Sequence, residues 1–406
     1  MNILYLNHYA GSPALGMEFR PYYLAREWVR LGHRVQMIAA SFSHVRSVQP
    51  APGDEQIDGI DYRWLPTPAY RGNGLGRAWN IWRFLRPLWR DAAALAARFR
   101  PDVVIASSTY PIDIWVAERI ARHCAGARVV FEVHDLWPLS PIEVSGAPPW
   151  HPFMLLCRAA ESHAYRHADR VVSMLPVVRD YMASRGLDPR RLSIVPNGIA
   201  LDEWQGKSVP LREDLAAHIA LQRAAGRTIV GYAGSIGRPN ALDVLLDAAV
   251  LLRHEPLAFV LVGEGLERER LQRRIARENL PNVKWVPAVP KAQIPTLLAG
   301  FDIAYIGWQR ASIYRFGIAP NKLMDYMMAS LPVLHSVAAG NDPGAESDCG
   351  VTVAPESAVA VADGLRRLAA ETPAARRAMG LRGRAFVLAN HTYPVLAKRF
   401  LEAIQS

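Results

Sequence analysis

Short apolar strand patterns alternate with amphipathic helical patterns along both halves of the 406-residue chain. Strands joined in turn by helices form parallel βαβ units, which pack helices on both faces of one sheet. We therefore predict an α/β fold made of two Rossmann-like, doubly wound domains. The predicted strands cover residues 3–7, 35–39, 103–106, 129–133, 171–174 and 192–195, and then 229–233, 259–262, 283–286, 303–306, 333–335 and 351–353.

The two series of strands are separated by residues 201–226, which show no strong periodicity. We place an N-terminal domain at 1–200 and a C-terminal domain at 201–390. A last amphipathic segment follows Pro394, and we expect the helix within residues 391–406 to pack back on the N-terminal domain. Parallel sheets bind ligands at the carboxyl ends of their strands, so the loops at residues 8–16, 107–111 and 134–135 should share one edge.

Composition narrows the function classes. The three cysteines have no metal-ligand spacing, which predicts a reduced, cytoplasmic setting. No apolar run reaches membrane-spanning length, and the N-terminal residues read as a strand rather than a signal peptide. The net charge of +10 suggests an anionic partner, either a nucleotide, a phospholipid surface or nucleic acid. Nucleic acid is disfavoured because no recognition-helix motif appears.

Residues 314–332 read YRFGIAPNKLMDYMMASLP, a glycine- and proline-bearing loop that leads into a helix. Free backbone N–H groups and the positive end of the helix dipole suit an anion, and Lys322 adds a charge. Asp325, one turn further on, can accept hydrogen bonds from two neighbouring hydroxyls, as on a ribose. The segment therefore predicts a phosphate and ribose site; the alternative is a capped core helix with a solvated lysine and aspartate.

The segment from Arg77 to Arg100 combines tryptophans with arginines in a helical pattern that Pro87 would kink. Trp82 and Trp89 belong to a wide apolar arc, with arginines opposite. This pattern is typical of a helix at a membrane interface. A helix that buries its tryptophans against the sheet fits the same periodicity.

Five pieces of sequence in order resemble one family. They are GMEFRPYYLAREWVRLGHRV near the start, VPNGI from Val195, YAGSIG from Tyr232, VGEG from Val262, and residues 314–332. Together they resemble the GT-B fold retaining glycosyltransferases of family four, whose two domains face a central cleft. Within that family, FEVHDLWP and APNKLMDYMMASLPV are similar to the branch that builds bacterial O-antigen, capsule and exopolysaccharide, including N-acetylfucosamine-type amino-sugar transferases.

The resemblance implies transfer of a sugar, an N-acetylated amino sugar being one candidate, from a nucleotide diphosphate. UDP is the expected nucleotide, and a glycan or lipid-linked molecule is the expected acceptor. It implies no metal and no cofactor, because basic groups and helix N-termini neutralise the leaving diphosphate. The protein would work in the cytoplasm, with peripheral membrane contact through the Arg77 to Arg100 segment.

The resemblance also implies roles for individual residues. The expected catalytic residues are His134, Lys322 and Arg238. The expected donor-binding residues are Gly16, Gly234, Ser235, Val289, Gly317, Ile318, Ala319, Pro320, Asn321 and Asp325. Glu18 and Asp135 are expected on the acceptor side, although Glu18 also suits a helix N-terminus and Asp135 a turn. His134 has the alternative of bonding only to a backbone carbonyl.

Four positions depart from the family pattern. Asp325 stands at the second acid of the family's paired-glutamate motif and is one methylene shorter than a glutamate. Gly317 stands where the family has a glutamate that holds sugar hydroxyls. Ser235 and Asn240 stand where an arginine and a lysine are usual, so Arg238 and Lys322 are the basic candidates. These departures leave two alternatives open: a non-catalytic nucleotide- or glycolipid-binding member of a glycan-assembly complex, and a sugar-nucleotide epimerase, for which carboxylates are few.

Overall fold

The computed structural model describes residues 1–16, 19–72, 74–206 and 208–406. The chain divides into two compact units. The first unit comprises Met1–Asn197 and Tyr393–Ser406, and the second comprises Gly198–Thr392. The sequence placed these divisions a few residues away, after residues 200 and 390.

The first unit is built on an eight-stranded sheet in the order β3-β4-β2-β1-β5-β6-β7-β8. Every neighbouring pair is parallel except β3 and β4. The apolar runs found in the sequence form the buried central strands, which confirms the doubly wound α/β class. The strands are β1 Asn2–Leu6, β2 Arg34–Ala40, β3 Gly53–Ile57, β4 Ile60–Leu65, β5 Val103–Ala106, β6 Arg128–Val133, β7 Arg170–Ser173 and β8 Leu192–Ile194.

The antiparallel hairpin of β3 and β4 was not predicted from the sequence. β3 reads GDEQI and lies exposed at the edge of the sheet, so it carries no apolar signal. β4 alternates buried and half-buried residues, with Tyr62 and Trp64 facing the core. The hairpin therefore shields one edge of the parallel sheet with polar residues.

Helices cover the first sheet. They are α1 Phe19–Arg30, α2 Leu75–Arg90, α3 Ala92–Phe99, α4 Asp113–Ala121, α5 Leu139–Ser145, α6 Pro152–His167 and α7 Arg179–Ser184. The single helix predicted from Arg77 to Arg100 is wrong, since Asp91 separates α2 from α3 with φ −98° and ψ 16°. Aspartate is a weak helix former, and the carboxylate of Asp91 is held by the Arg90 guanidinium at 2.7 Å.

The last helix of the chain, α17 (Tyr393–Gln405), packs on α1 in the first unit. The fully buried Trp28 of α1 donates its indole N–H to the carbonyl of Ala397 at 3.1 Å. Its ring meets Phe400 at a centroid distance of 5.1 Å. α17 therefore completes the core on one face of the first sheet.

A buried ion pair links α1 to the centre of the same sheet. Arg20 Nε lies 2.9 Å from Glu132 Oε1, and both side chains are almost fully buried. Arg20 also donates to the carbonyls of Val195 and Pro196, beyond the end of β8. Tyr5 on β1 donates its hydroxyl to the other oxygen of Glu132. One carboxylate thus joins β1, β6, α1 and the exit from β8.

The second unit is built on a six-stranded, wholly parallel sheet in the order β11-β10-β9-β12-β13-β14. Its strands are β9 Thr228–Ala233, β10 Leu257–Val262, β11 Val283–Val286, β12 Ile303–Gly307, β13 Val333–Ser336 and β14 Gly350–Val353. Its helices are α8 Asp202–Gln205, α9 Glu213–Ala224, α10 Leu242–Leu251, α11 Arg268–Arg277, α12 Ile294–Leu298, α13 Asn321–Met328, α14 Pro343–Glu346, α15 Ala358–Ala370 and α16 Pro373–Asn390.

Alternate residues of the second sheet supply two separate cores. Ile229 and Ala233 of β9 pack with α9, α12 and α13 on one face. Val230 and Tyr232 pack with α10 and α15 on the other. This alternation follows from the two-residue period of a strand, and it confirms that the second half is also doubly wound.

Replacing Glu132 with Gln should destabilise the first unit by about 3–5 kcal/mol at pH 7, because the buried Arg20 loses its counter-charge. Burial alone would raise the pKa of Glu132, but His134, Arg20 and Ser107 hold the pKa well below its ordinary value of 4.5. Since the folded pKa is the lower one, the stabilisation is complete above pH 4.5 and is lost as the pH falls below it. The difference in unfolding free energy between wild type and Glu132→Gln, measured with urea, should therefore decrease towards pH 3.

The exposed Glu402 on α17 gives the control, because Glu402→Gln should change the unfolding free energy little at any pH. If the difference in unfolding free energy between wild type and Glu132→Gln stayed constant down to pH 3, Glu132 would not be ionised in the folded protein as assigned.

Candidate active site

The predicted phosphate and ribose segment lies at the carboxyl edge of the second sheet, after β12. A short 3-10 helix, Ser312–Phe316, leads through Gly317 to Pro320, which precedes α13. No side chain caps the N-terminus of α13. Its first backbone N–H groups therefore present the positive end of the helix dipole without a protein acceptor from the cap residue.

Gly317 adopts φ 97° and ψ 172°, a conformation that residues with a side chain rarely reach. A glutamate would be strained at this position, which gives a physical reason for the departure from the family motif. The amide of Gly317 donates to the carbonyl of Tyr314 at 2.9 Å. The conformation of the loop thus favours glycine at this position.

One of the expected backbone donors is already occupied. The amide of Ile318 donates to Asn341 Oδ1 at 2.7 Å, and Asn341 donates in return to the Ile318 carbonyl at 3.1 Å. Asn341 therefore fixes the loop rather than leaving the Ile318 amide for a ligand. Ala319, Pro320 and the exposed Asn321 continue from there to the start of α13.

Lys322 lies in the first turn of α13 beside β9. Its amino group contacts the Asn240 side-chain oxygen and lies 3.1 Å from the hydroxyl of Tyr232. It also lies 6.0 Å from the centre of the Trp308 ring. Burial lowers the pKa of Lys322 to about 8. The group has only neutral partners among the residues described, so an anion is the partner that would favour its charged form.

Asp325 lies one turn further along α13 and is half-buried. Within the described residues its carboxylate accepts no hydrogen bond. Burial raises the pKa of Asp325 to about 7, with smaller and opposing effects of Lys291 and Glu203. Those two residues pair with each other at 2.8 Å. A carboxylate so placed requires donors from a ligand if it is to be ionised without a large desolvation penalty.

Gly234, Ser235 and Val289 line one cavity of about 270 Å³ at the carboxyl ends of β9, β10 and β11. Its other walls come from Gly263, Glu264 and neighbouring apolar residues. The carbonyl of Ser235 accepts hydrogen bonds from Tyr232 and Asn240, which hold the loop after β9. The structure thus brings three of the expected donor-binding residues to one cavity.

Arg238 is separate from this network. Its side chain is 81% exposed, and it lies 3.6 Å from Glu267. The catalytic role expected for Arg238 stays a prediction, since the side chain is paired and faces solvent. Asn240, at the family's usual lysine position, instead contacts Lys322.

In the first unit, His134 follows β6 and contacts the buried ionic group. Its Nε2 lies 2.8 Å from Ser107 Oγ and 3.2 Å from Glu132 Oε2. Ser107 donates its own proton to Glu132, so Nε2 is the protonated nitrogen of His134. The partner is therefore a carboxylate rather than the backbone carbonyl considered above. Nδ1 has no protein partner among the described residues and can serve a ligand hydroxyl.

Asp135 acts locally. Its Oδ1 accepts from the amide of Leu136 at 2.9 Å and from the hydroxyl of Ser140. Burial raises the pKa of this carboxyl. These bonds correspond to the turn role, and the acceptor role of Asp135 stays a prediction.

Gly16 lies in the loop after β1, and Glu18 lies outside the described residues. Gly16 has φ 96°, and a Cβ there would approach Ser47 Oγ to 2.6 Å. Its amide donates to the carbonyl of Ser12 at 3.1 Å. Protein packing alone therefore requires glycine, and its amide is already bonded, so donor contact by Gly16 stays a prediction.

Three loops meet at the edge predicted for them. Asn7 donates to the Ser107 carbonyl at 2.8 Å, and Ser107 contacts His134. Sequence reasoning missed Glu132, which holds this group together. The available signal was a glutamate within the otherwise apolar strand pattern of residues 129–133. It also missed Tyr232 and Trp308, whose side chains lie beside the amino group of Lys322.

Neither a metal-binding cluster nor a membrane-spanning helix is found among the described residues. No group of three or more histidine, cysteine, aspartate or glutamate side chains is placed to hold a metal ion. Over the same residues, no helix combines the length and apolar character needed to cross a bilayer.

Comparison with known proteins assigns both halves of the chain. Residues 16–198 match a glycosyl transferase 4-like domain, and residues 227–371 match the glycosyl transferases of group 1. A probable glycosyltransferase of Pseudomonas aeruginosa, WbjE, is 25% identical over 59% of this chain and 58% of its own. A putative colanic acid biosynthesis glycosyl transferase of Escherichia coli, WcaI, is 24% identical over 61% of this chain and 62% of its own. The chain thus spans about 60% of the length of these curated relatives.

Among solved structures, HepE of Anabaena in complex with UDP and glucose matches with a TM-score of 0.68 over 100% of both chains, at 18% identity. This likeness shows the fold. With family matches to both units and the sheets expected of this fold, the chain belongs to the GT-B glycosyltransferases of family four.

Proposed function

We propose that the chain is a retaining glycosyltransferase that moves a sugar from a nucleotide diphosphate, UDP in the first instance, to an acceptor in cell-surface polysaccharide synthesis. One observation carries the proposal: Asp325 has a half-buried carboxylate without a protein donor, one turn below the uncapped N-terminus of α13. Ribose hydroxyls would supply the missing donors, and the diphosphate would meet Lys322 and the helix dipole. The solved complex of HepE with UDP supports the choice of nucleotide, and the description of WcaI as a putative colanic acid biosynthesis enzyme supports the class of pathway.

The proposed chemistry breaks the bond between the sugar and the diphosphate and forms a bond from the sugar to an acceptor hydroxyl on the same face. The proton of that hydroxyl passes to the departing phosphate oxygen. Lys322 and the first amides of α13 stabilise the charge that develops on the diphosphate, without a metal. His134 Nδ1 orients a sugar hydroxyl, while the Glu132 carboxylate fixes the ring. An N-acetylated amino sugar is our candidate donor, because Gly317 leaves more room than a glutamate would.

A non-catalytic nucleotide-binding role is the second candidate, and the observation that favours it is Gly317 in place of the sugar-holding acid. Slow hydrolysis of UDP-linked sugars by the purified protein separates the two. Nucleotide binding without hydrolysis or transfer, across a panel of UDP-sugars, would favour the binding role.

We also propose that α2 contacts the surface of the membrane that carries a lipid-linked acceptor. Ile81, Phe84 and Leu88 face the core, whereas Trp79, Trp82 and Trp89 are 52%, 44% and 45% exposed. Trp79 and Trp82 stack on each other at 4.6 Å, and the Arg86 guanidinium lies 5.1 Å from the Trp82 ring. Half-exposed indoles beside arginines suit the headgroup region of an anionic bilayer.

Replacing Asp325 with Ala or Asn should weaken UDP binding by about 1–3 kcal/mol, the scale of hydrogen bonds to a charged group. Calorimetry with UDP and with 2′,3′-dideoxyuridine diphosphate measures this loss. The dideoxy nucleotide should bind wild type and Asp325→Asn equally, because it lacks the hydroxyls that Asp325 would bind. Equal UDP affinity for wild type and both variants would remove the ribose assignment.

The affinity for UDP should fall roughly tenfold between pH 7 and pH 9. With a pKa of about 8, the amino group of Lys322 is mostly charged at pH 7 and mostly neutral at pH 9. A pH series of calorimetric titrations measures this dependence. Lys322→Arg stays charged over the whole range and should lose the pH dependence. An unchanged pH profile in Lys322→Arg would show that another group controls it.

The double replacement of Trp79 and Trp82 by Ala should reduce binding to phosphatidylglycerol vesicles roughly tenfold or more, since two half-exposed indoles would lose their apolar contact. Cosedimentation measures the bound fraction, with phosphatidylcholine vesicles as a neutral reference. The matched control is Leu266→Ala with Leu381→Ala, which removes two exposed apolar side chains of the second unit. Equal sedimentation of the tryptophan variant and wild type would contradict membrane contact through α2.

A further inference from the structure

One cavity of the first unit does not have His134 in its lining. It has a volume of about 800 Å³ and is open to solvent at the loops that follow β2 and β4. Its lining includes Arg46, Arg71, His44, Tyr70 and Gln49, and none of its lining residues is acidic. A cavity of this size can hold a small organic ligand. Its position is the carboxyl edge of the sheet, where parallel folds bind ligands.

Arg46 places a buried positive charge in the wall of this cavity. Its side chain is 95% buried, since its exposed fraction is 5%. Its guanidinium donates to the carbonyls of Ala10 and Ala40, while its Nε has no hydrogen-bond partner. No carboxylate pairs with Arg46 in the part of the chain that the structure describes. Burial lowers the pKa of Arg46 to about 10, in keeping with an uncompensated charge.

A second arginine, Arg71, lies at the rim of the cavity. Arg71 is exposed and makes no hydrogen bond or ion pair with the described residues. In the same lining, His44 Nδ1 lies 2.6 Å from the Tyr70 hydroxyl. Burial lowers the pKa of His44, and the charge of Arg77 lowers it further. Polar donors thus line a region of positive potential, which is the arrangement that phosphate oxygens require.

The loop on one side of the cavity is pinned in place. The Gln49 side chain accepts from the amide of Ser43 and donates to the carbonyls of Ser43 and Arg46. Arg46 also lies with its guanidinium 5.1 Å from the Trp64 ring. The buried charge therefore occupies a fixed position before any ligand arrives, so little ordering would oppose binding.

We propose that this basic pocket, lined by Arg46, Arg71, His44 and Tyr70, binds a phosphate or diphosphate group carried by the acceptor. The assignment to the acceptor rests on the proposed function, in which α13 and Lys322 of the second unit bind the diphosphate of the donor. The shared chemistry is an anion of phosphate type, borne by either a lipid or a sugar.

The test measures binding of inorganic pyrophosphate and of geranyl diphosphate by calorimetry, with the α13 site first saturated by UDP. Both probes should bind the UDP-saturated wild type. Arg71→Gln should weaken them roughly three- to tenfold, as expected for one charge at a solvated rim. Arg71 has no partner to lose among the residues that the structure describes, so this variant should fold normally. The exposed Arg158 of α6 lies outside the pocket, and Arg158→Gln is the matched control with unchanged binding.

The outcomes are distinct. Tighter binding of geranyl diphosphate than of pyrophosphate supports a lipid-borne anion, and equal binding supports recognition of the phosphate alone. Absence of pyrophosphate binding to UDP-saturated protein, or equal affinity in Arg71→Gln and wild type, overturns the proposal. A loss of UDP affinity in Arg71→Gln as large as the loss for pyrophosphate also overturns it, because the pocket would then serve the donor. Failure of UDP to bind wild type would instead refute the proposed function, and the Arg71 dependence of pyrophosphate binding still tests the pocket.

Discussion

The buried pair of Arg20 and Glu132 sets the geometry of the first unit. A charged carboxylate at the centre of a parallel sheet is costly unless every oxygen is satisfied. Here the guanidinium, a tyrosine hydroxyl, a serine hydroxyl and an imidazole all converge on it. Because these groups come from different strands and from α1, the same carboxylate that organises the core also fixes His134 at the sheet edge. Structure and candidate chemistry thus depend on one residue.

Much of the fold could be predicted from the sequence, because buried parallel strands are apolar throughout and their helices are amphipathic. The failures have physical causes. β3 is polar and exposed, so it carries no hydrophobic pattern. The break at Asp91 falls inside a continuous helical periodicity, so the pattern of apolar residues does not mark it. Strand ends differ from the predicted ones by one or two residues in both directions; β1 ends at Leu6 rather than Asn7, and β10 begins at Leu257 rather than Phe259.

The sequence predicted which residue types form the candidate site, but not which hydrogen-bond partners those residues have. Motif position alone placed Lys322 and Asp325 on one helix. It could not reveal that Asn341 occupies the Ile318 amide, or that Asp325 lacks a donor. Those facts depend on residues far apart in the chain. For the same reason, the sequence did not predict the role of Glu132 or the unpaired charge of Arg46, because the residues around them come from several strands and loops.

The packing of α17 on α1 has a consequence for biosynthesis. The first unit is encoded in two pieces, and the whole of the second unit lies between them. During translation, the apolar face around Trp28 must stay uncovered while about two hundred intervening residues emerge, which takes some tens of seconds at ordinary synthesis rates. We therefore expect chaperones to bind the nascent first unit, and we expect its folding to finish only after the second unit has been synthesised.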